Sequence, residues 1–422
     1  MQMSLRTDRA LLRATARSTR YLLVSLTAPT TAPRDGRTPI HVGIVLDRSG
    51  SMDGEHKFAL AQQAVASSLR MLRPDDRFTL VAYDDSVDMI MPSTLATPEA
   101  TRVALQRLQT ISPRGGTDLY AGWMSGAAQM LEHLVRDGVS RVLLLTDGLA
   151  NTGVVESPAL VSAAGDLRRR GIATSTFGVG LDFDERVLRD IAHEGGGQSY
   201  YMDTPAQITD LLTSELGEAL EVVRRGMLLH IGLPPGVECK LLNRYRSTHA
   251  HGDDELIVDV GDVTSGQELS LVVRLCFPED RAGAQTNVRV STGGAVRVST
   301  DVEQQLSWHY ADHEANNAQP RDVVVDREVA TLYAARARAE ATEANRHGDM
   351  RHARAVLEAT ARRIRTYANG DPVLDGLYRG LLADVEMYAE RCMSAQERKQ
   401  SFYVAESVGR NRDIEGKARR HR

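Results

Sequence analysis

The sequence predicts an α/β domain with a doubly wound, mostly parallel sheet, inserted in or followed by an antiparallel β-sandwich, and then a C-terminal helical region. Three observations predict this order. Short apolar runs alternate with amphipathic stretches from about residue 40 to 220, alternating β-branched segments follow Val223, and helical periodicity begins near residue 322. The 422 residues are enough for two or three domains at roughly 150 residues each.

The α/β part is predicted from continuous apolar runs, which are typical of strands covered on both faces. The strand candidates are residues 42–46, 78–83, 87–91, 142–145 and 173–179. Between the first two, Phe58, Ala61, Val65, Leu69 and Leu72 recur at spacings of three and four, which predicts a helix with one face toward the sheet.

The remaining segments set the expected domain limits. The apolar run 21–26 is too short for a signal-peptide core or a membrane span, so we interpret it as a strand that joins the sandwich. Breaks in the helical periodicity after residue 322 predict about three helices. The predicted parts are N-terminal strands in 1–39, the α/β domain in 40–221, the sandwich in 222–315, the helical region in 322–393 and a tail in 396–422.

The composition limits the cellular compartment and the kinds of binding partner that we expect. Apolar residues make up 42% of the chain and charged residues 25%, and the net charge of -5 offers no overall attraction for nucleic acid or anionic lipid. Three widely spaced cysteines, Cys239, Cys276 and Cys392, do not form a disulfide pattern and favour a reducing compartment. We therefore expect a cytoplasmic protein without a membrane partner.

The tail differs from the rest of the chain in charge. Residues 396–422 carry eight Lys or Arg and four Asp or Glu, giving 8 - 4 = +4, with few large apolar side chains. This composition predicts a disordered tail, for which an acidic protein or nucleic acid is a possible partner and simple solvation is the alternative.

Five oxygen-bearing side chains follow predicted strands or lie in a glycine-rich loop. Asp47, Ser49 and Ser51 come directly after the first strand, Asp147 follows another strand, and Thr117 follows two glycines. Ligand sites in open parallel sheets form outside the carboxyl ends of the strands, so these residues should meet. Carboxylate and hydroxyl oxygens suit Mg²⁺, with Ca²⁺ or Mn²⁺ as alternatives, rather than zinc. The Asp-x-Ser-x-Ser pattern alone is also a common turn, but the combination favours a metal site.

The motif Asp-Arg-Ser-Gly-Ser-Met from Asp47, together with Thr117 and with Asp147 in Thr-Asp-Gly, resembles the metal-ion-dependent adhesion site of von Willebrand factor A domains. The resemblance covers roughly residues 40 to 220, and all five family ligands are matched. It implies that Ser49, Ser51 and Thr117 contact the metal directly, that Asp47 and Asp147 act largely through waters, and that a partner's Asp or Glu completes the coordination. Bacterial proteins related to the inter-alpha-trypsin inhibitor heavy chains and the calcium-activated chloride channel proteins are broadly similar beyond it.

Other candidate residues have structural explanations. Asp118 is expected to be a helix cap or an acid that supports the metal ligands from behind. Asp182 and Asp184 are expected to cap the helix that follows them, and Trp123 and Trp308 to lie in cores. A second metal cluster at His249, His251, Asp253 and Asp254 is possible, but a solvated hairpin is favoured. No histidine or cysteine is placed to activate a nucleophile near Ser49, so we do not expect an enzyme.

These observations lead to a functional hypothesis. The chain is expected to be a cation-dependent protein-binding module, in which a Mg²⁺ at the site captures an acidic residue of a protein partner. The alternative is a regulatory subunit of an AAA-type ATPase or kinase assembly.

Overall fold

The computed structural model describes residues 1–30, 39–134, 138–250, 252, 254–294 and 301–420. The chain divides into two compact units, one made of Met1–Thr31 and Val223–Arg422 and the other of Ala32–Val222. The first unit is therefore discontinuous in sequence, and the second is inserted into it. The first unit begins with the strands β1 (Gln2–Thr7), β2 (Leu11–Arg13) and β3 (Ser18–Thr27).

The inserted unit contains six strands, six α-helices and one 3₁₀ helix within its described residues. The strands are β4 (Ile40–Asp47), β5 (Arg77–Tyr83), β6 (Val87–Leu95), β7 (Val139–Thr146), β8 (Ala173–Val179) and β9 (Gly196–Met202). The helices are α1 (Lys57–Met71), α2 (Pro98–Gln109), α3 (Leu119–Leu131), α4 (Ser157–Arg169), α5 (Glu185–Glu194) and α6 (Gln207–Leu220), with the 3₁₀ helix at Gly50–His56.

The sheet of this unit has the strand order β6-β5-β4-β7-β8-β9. Its pairs are parallel except β5 with β6, which are antiparallel. The strand order reverses direction between β4 and β7, the point at which open α/β sheets bind ligands. The predicted α/β fold class is confirmed, and the predicted site follows the two strands at this switch point.

Both faces of the sheet are covered by helices. Ile44 contributes to the core beneath α1, α2 and α6, whereas the next residue, Val45, faces the opposite side, where a Cβ on Gly126 of α3 would lie 2.8 Å from it. Trp123 of α3 is fully buried, as predicted. Burial on both faces explains why the strands read as continuous apolar runs.

The first unit continues after residue 222 with seven more strands. They are β10 (Val222–Gly232), β11 (Glu238–Leu241), β12 (Arg246–Ala250), β13 (Glu255–Thr264), β14 (Glu268–Phe277), β15 (Gln285–Gly293) and β16 (Glu303–Ala311). They form a four-stranded sheet, β1-β3-β14-β11, and a six-stranded sheet, β12-β13-β10-β15-β16-β2. One apolar core takes residues from both sheets and includes the predicted core residue Trp308. This is the antiparallel sandwich that the sequence predicts, apart from the parallel β16–β2 pair.

The N-terminal apolar run belongs to β3, which is covered on both sides. Leu22 and Val24 lie in the core between the two sheets, whereas Tyr21 and Leu23 pack against Val329 and other apolar residues of the first long helix. The run is continuous, rather than alternating, because both of its faces are buried.

The helical region packs mainly through small and apolar side chains. Its helices are α7 (His313–Ala318), α8 (Val323–Arg346), α9 (Met350–Ala368), α10 (Pro372–Ala389) and α11 (Ala395–Gly409). One core joins α8, α9 and α10. No helix among the described residues is long and apolar enough to cross a membrane.

The prediction of a disordered basic tail in 396–422 is wrong for the described residues. Ser394 and Glu397 form a reciprocal capping box that starts α11, and Ser401 bonds Tyr388 through their hydroxyls at 2.8 Å. Arg412 is buried and donates to the backbone carbonyl of Gly416. The segment is held by caps, by hydrogen bonds and by a few apolar contacts, such as those of the buried Tyr403 and of Val408, and a low content of apolar residues does not reveal this. The structure therefore does not support the prediction that this segment is a free basic arm for an acidic or nucleic-acid partner.

A buried histidine makes the stability of the α/β unit depend on pH. His41 lies in β4, where burial, assisted by the charge of Arg77 and opposed by a hydrogen bond to the carbonyl of His133, lowers its pKa to about 4. Because the unfolded chain takes up this proton more readily, the contribution of His41 to stability falls as the pH drops from about 6.5 to 4, by about 3 kcal/mol in total, and it is measured as the difference between the parent and a His41 variant. Urea unfolding followed by Trp123 fluorescence, with Trp308→Phe as the background, is the measurement.

The matched variants separate His41 from other titrating groups. His41→Gln should gain stability relative to the parent as the pH falls from 6.5 to 5, whereas His133→Gln, which alters an exposed side chain, keeps the carbonyl and removes only the smaller of the two charge effects on the pKa of His41, should differ little from the parent. An identical decline in parent and His41→Gln would contradict the assignment.

Candidate functional site

The candidate site begins at the carboxyl end of β4. Asp47 is the last residue of this strand and is fully buried. Its Oδ1 accepts the backbone N–H of Ser49 at 2.8 Å, and its Oδ2 accepts the hydroxyl of Thr146 at 2.6 Å. Because Thr146 ends the adjacent strand β7, this bond joins the two strand ends from which the site is built.

Ser51 connects the first loop to Asp147. Its hydroxyl donates to Asp147 Oδ1 at 2.6 Å and lies 3.1 Å from Ser49 Oγ. Asp147 is fully buried and Ser49 almost so, whereas Ser51, in the 3₁₀ helix, is exposed. The oxygens therefore form a row that reaches from the core to the surface.

Thr117 is held in place by the loop that follows β7. Its N–H donates to the side-chain carbonyl of Asn151 at 2.8 Å, and its own carbonyl accepts the N–H groups of Asn151 and Thr152. A Cβ built on Gly148 would lie 3.7 Å from Ser51 Oγ and 4.0 Å from Thr117 Oγ1, so both hydroxyls border the same glycine. The structure thus brings the five predicted residues together.

The residue after Thr117 has the predicted structural role. Asp118 caps α3 by accepting the N–H of Ala121 at 2.9 Å. Gly153, with φ of +70°, passes so close to that carboxylate that a Cβ there would collide with it. Asp184 likewise caps α5.

A buried ion cluster that the sequence did not indicate fixes the loops around the site. Arg48 turns away from the oxygens and lies 3.0 Å from the buried Asp84, which also pairs with Arg114 at 2.8 Å. The backbone carbonyl of Arg48 accepts the N–H of Arg114, and that of Asp84 accepts the N–H of Asp118. Three loops are therefore joined behind the candidate ligands.

The charge of Asp84 is stabilised by this cluster. Burial alone would raise its pKa, but hydrogen bonds from Ser86 and Arg114 and the charge of Arg48 outweigh that effect and lower it. Asp84 therefore stays ionised and keeps both guanidinium groups away from Asp47 and Asp147.

The sequence analysis also missed Lys57, the first residue of α1. Its Nζ lies 2.7 Å from Asp147 Oδ2, and its side chain is only 12% exposed. A cation at a helix N-terminus opposes the helix dipole, so a lysine there signals a nearby acid. That signal was present in the sequence beside the motif.

The electrostatics of the site are set by burial. Burial, assisted by the charge of the neighbouring Asp147 and opposed by hydrogen bonds from Thr146 and Ser49, raises the pKa of Asp47 to about 6. The charged form of Asp47 is therefore unfavourable in this site, and a cation between the loops would stabilise it.

The chemistry of the donor set fits a hard divalent cation. Two carboxylates and three hydroxyls supply only oxygen, without the thiolate or imidazole that soft or borderline metals prefer. Elsewhere, among the described residues, no three His, Cys, Asp or Glu side chains gather in a way that could hold a metal. The cluster considered at His249 is only partly covered, because His251 and Asp253 lie outside the described residues.

The α/β unit is an open, mostly parallel sheet with acidic and hydroxyl side chains at its switch point. Residues 41–214 match the family model of the von Willebrand factor type A domain. The α/β unit is a von Willebrand factor type A domain, a fold that commonly binds divalent metal ions and generally serves as a metal-dependent protein-interaction module.

Curated relatives share this part of the chain. The uncharacterized protein YfbK of Escherichia coli (strain K12) is 27% identical over 274 residues, 63% of this chain and 46% of that protein. Inter-alpha-trypsin inhibitor heavy chain H2 of Mus musculus is 27% identical over 184 residues, 40% of this chain and 19% of that protein. The chain therefore spans less than half the length of these relatives.

Two solved structures cover nearly the whole chain. A von Willebrand factor type A protein from Catenulispora acidiphila superimposes with a TM-score of 0.71 at 16% identity, covering 96% of both chains. The ArnB paralog VWA2 from Sulfolobus acidocaldarius gives 0.61 at 14% identity, covering 97% of this chain and 98% of that one. At these identities the likeness concerns the fold, which includes the sandwich and the helical region.

Proposed function

We propose that the α/β unit binds one divalent cation, Mg²⁺ in the first place, and uses it to capture an Asp or Glu of a protein partner. The proposed ligands are Asp47, Ser49, Ser51, Thr117 and Asp147. The observation that carries the proposal is the position of Ser51. Its hydroxyl donates to Asp147, lies beside the hydroxyl of Ser49 and, like the hydroxyl of Thr117, lies next to Gly148. Oxygens from three loops thus face one small region at the sheet edge.

The proposed mechanism depends on which oxygens are charged. Asp47 and Asp147 are buried beneath the site and already accept hydrogen bonds, so they would neutralise the cation from below. The remaining three donors are neutral hydroxyls, which leave the cation electron-poor toward solvent. When bound, the cation supplies an attachment point for an external carboxylate. The proposal assigns no catalytic step to this chain.

The alternative of a regulatory subunit in an AAA-type ATPase or kinase assembly is not favoured. Neither relative described above has a name of that kind, and the site as built needs only a cation and an acidic ligand. Copurification that depends on nucleotide rather than on Mg²⁺ would restore it.

Metal binding is the first test. Mn²⁺ titration followed by the electron paramagnetic resonance of the free ion, with Mg²⁺ as competitor, should reveal one site. Ser51→Ala and Thr117→Val should each weaken binding at least about tenfold, equivalent to about 1.4 kcal/mol, because each removes one oxygen. Ser162→Ala, at an exposed position on α4, is the matched control. Unchanged affinity in both ligand variants would refute the assigned ligands.

Carboxylate capture is the second test. With Mn²⁺ on the protein, the methyl protons of acetate should relax faster through contact with the bound ion, whereas those of neutral acetamide should not. EDTA should remove the effect. A bound metal that relaxes both probes equally would leave a cation site without the proposed selectivity for acids, and so would contradict capture.

A further inference from the structure

The two carboxylate oxygens of Asp147 are divided between different partners. Oδ1 accepts the hydroxyl of Ser51 at 2.6 Å, and Oδ2 receives the ammonium of Lys57 at 2.7 Å. Asp147 is fully buried, and the lysine side chain is 12% exposed. The ammonium group of Lys57 therefore lies directly against one of the proposed metal ligands.

The backbone turn before α1 positions Lys57. His56, with φ of +59°, turns the chain between the 3₁₀ helix and α1, so that Lys57 begins the helix beside the strand ends. Gly180, which follows β8 with φ of +72°, lies on the other side, where a Cβ would be 3.8 Å from Lys57 Nζ. Since a cation at this end of a helix is unfavourable, the contact with Asp147 accounts for its position.

We propose that Lys57 is a specificity-determining residue of the site, which weakens metal binding and strengthens the binding of an acidic ligand to the metal-loaded form. This inference rests on the proposed function. The formal charges give the reason: Asp47 and Asp147 with a divalent cation sum to zero, but Lys57 makes the loaded site +1. Repulsion lowers the affinity for the cation, and the excess charge then favours an anion.

A purely structural salt bridge would behave differently. Loss of a structural ion pair would weaken metal and ligand together by disordering the loops, or would affect neither. If Lys57 acts through its charge, its loss should strengthen metal binding and weaken the binding of the acidic ligand. The opposite signs are therefore the discriminating result.

The experiment uses the full chain with Mn²⁺ and acetate as probes. Lys57→Met should bind Mn²⁺ about tenfold more tightly and, once loaded, bind acetate about tenfold more weakly, because each shift corresponds to about 1.4 kcal/mol of charge interaction. Lys57→Arg keeps the charge and should resemble the parent protein. Lys240→Met, at an exposed position on β11 in the other unit, controls for the loss of one positive charge overall.

The outcomes separate this inference from the function on which it rests. If the parent binds no Mn²⁺, both are overturned. If the parent binds Mn²⁺ and acetate but Lys57→Met has the same affinities, or shifts both in the same direction, only the role of Lys57 is overturned. Circular dichroism of Lys57→Met and the behaviour of Lys57→Arg guard against misfolding, because a variant that keeps the charge must also keep both affinities.

Discussion

Asp47→Asn is expected to abolish metal binding and yet to stabilise the metal-free protein. The side chain is fully buried, and burial raises its pKa to about 6, so its ionised form is unfavourable in the folded unit. The Asp47 carboxyl group therefore destabilises the folded unit increasingly as the pH rises from about 4 to 6, against the opposite contribution of His41, and at pH 8 its whole cost of about 3 kcal/mol is present. An uncharged amide of the same shape avoids that cost but gives up half of the negative charge offered to the cation.

Thermal unfolding at pH 8 reveals both effects. In EDTA the variant should have a higher melting temperature than the parent. Excess Mg²⁺ should raise the melting temperature of the parent alone, because Mg²⁺ at a hundred times its dissociation constant stabilises the folded state by about 2.7 kcal/mol. Asp166→Asn, which changes an exposed acid of α4, should behave as the parent does. Equal stabilisation of parent and Asp47→Asn by Mg²⁺ would exclude Asp47 as a ligand.

Arg141→Met is expected to cause the largest loss of stability in the α/β unit. Glu215 of α6 is fully buried, and its carboxylate accepts Arg141 of β7 at 2.6 Å, Ser175 at 2.5 Å and Tyr200 at 2.5 Å. These bonds tie α6 to three strands. Removing the guanidinium takes away the cation that pairs with this buried carboxylate at 2.6 Å, and breaking such a buried pair costs about 3–5 kcal/mol.

A second variant identifies the cause of that loss. Arg141→Met with Glu215→Gln removes both charges and keeps an amide for Ser175 and Tyr200, so it should recover more than half of the stability. Urea unfolding with Trp123 as reporter in the Trp308→Phe background assigns the change to this unit, since these are the two tryptophans of the chain. A double variant as unstable as the single one would point to lost packing rather than to an uncompensated charge.

Much of the candidate site could be predicted because its residues are tied to strand ends. Asp47 and Asp147 each follow an apolar run, and parallel strands place such positions at one edge whatever the details of the fold. The partners behind the site were not predictable in this way. Asp84 and Arg114 meet Arg48 only because two further loops fold back onto it.

The fold was predictable where burial leaves a pattern in the sequence. Continuous apolar runs gave β4, β5, β7 and β8, and alternation gave the sandwich. The C-terminal segment failed because α11 is held by its capping box and by hydrogen bonds from Ser401, which leave no apolar periodicity. The strand β9 was also missed, because it begins with two glycines at Gly196 and has no continuous apolar run.

The pairing of β3 with β14 has a consequence for biosynthesis. Ser25 lies opposite Ser270, 270 - 25 = 245 positions later, so β3 leaves the ribosome long before its partner exists. The intervening α/β unit is continuous in sequence and can fold during that interval, which leaves fewer mobile residues in the loop that the pairing must close. Until β14 arrives, β3 is an apolar strand with an open edge, and nascent chains stalled before residue 268 should therefore be the ones that need a chaperone.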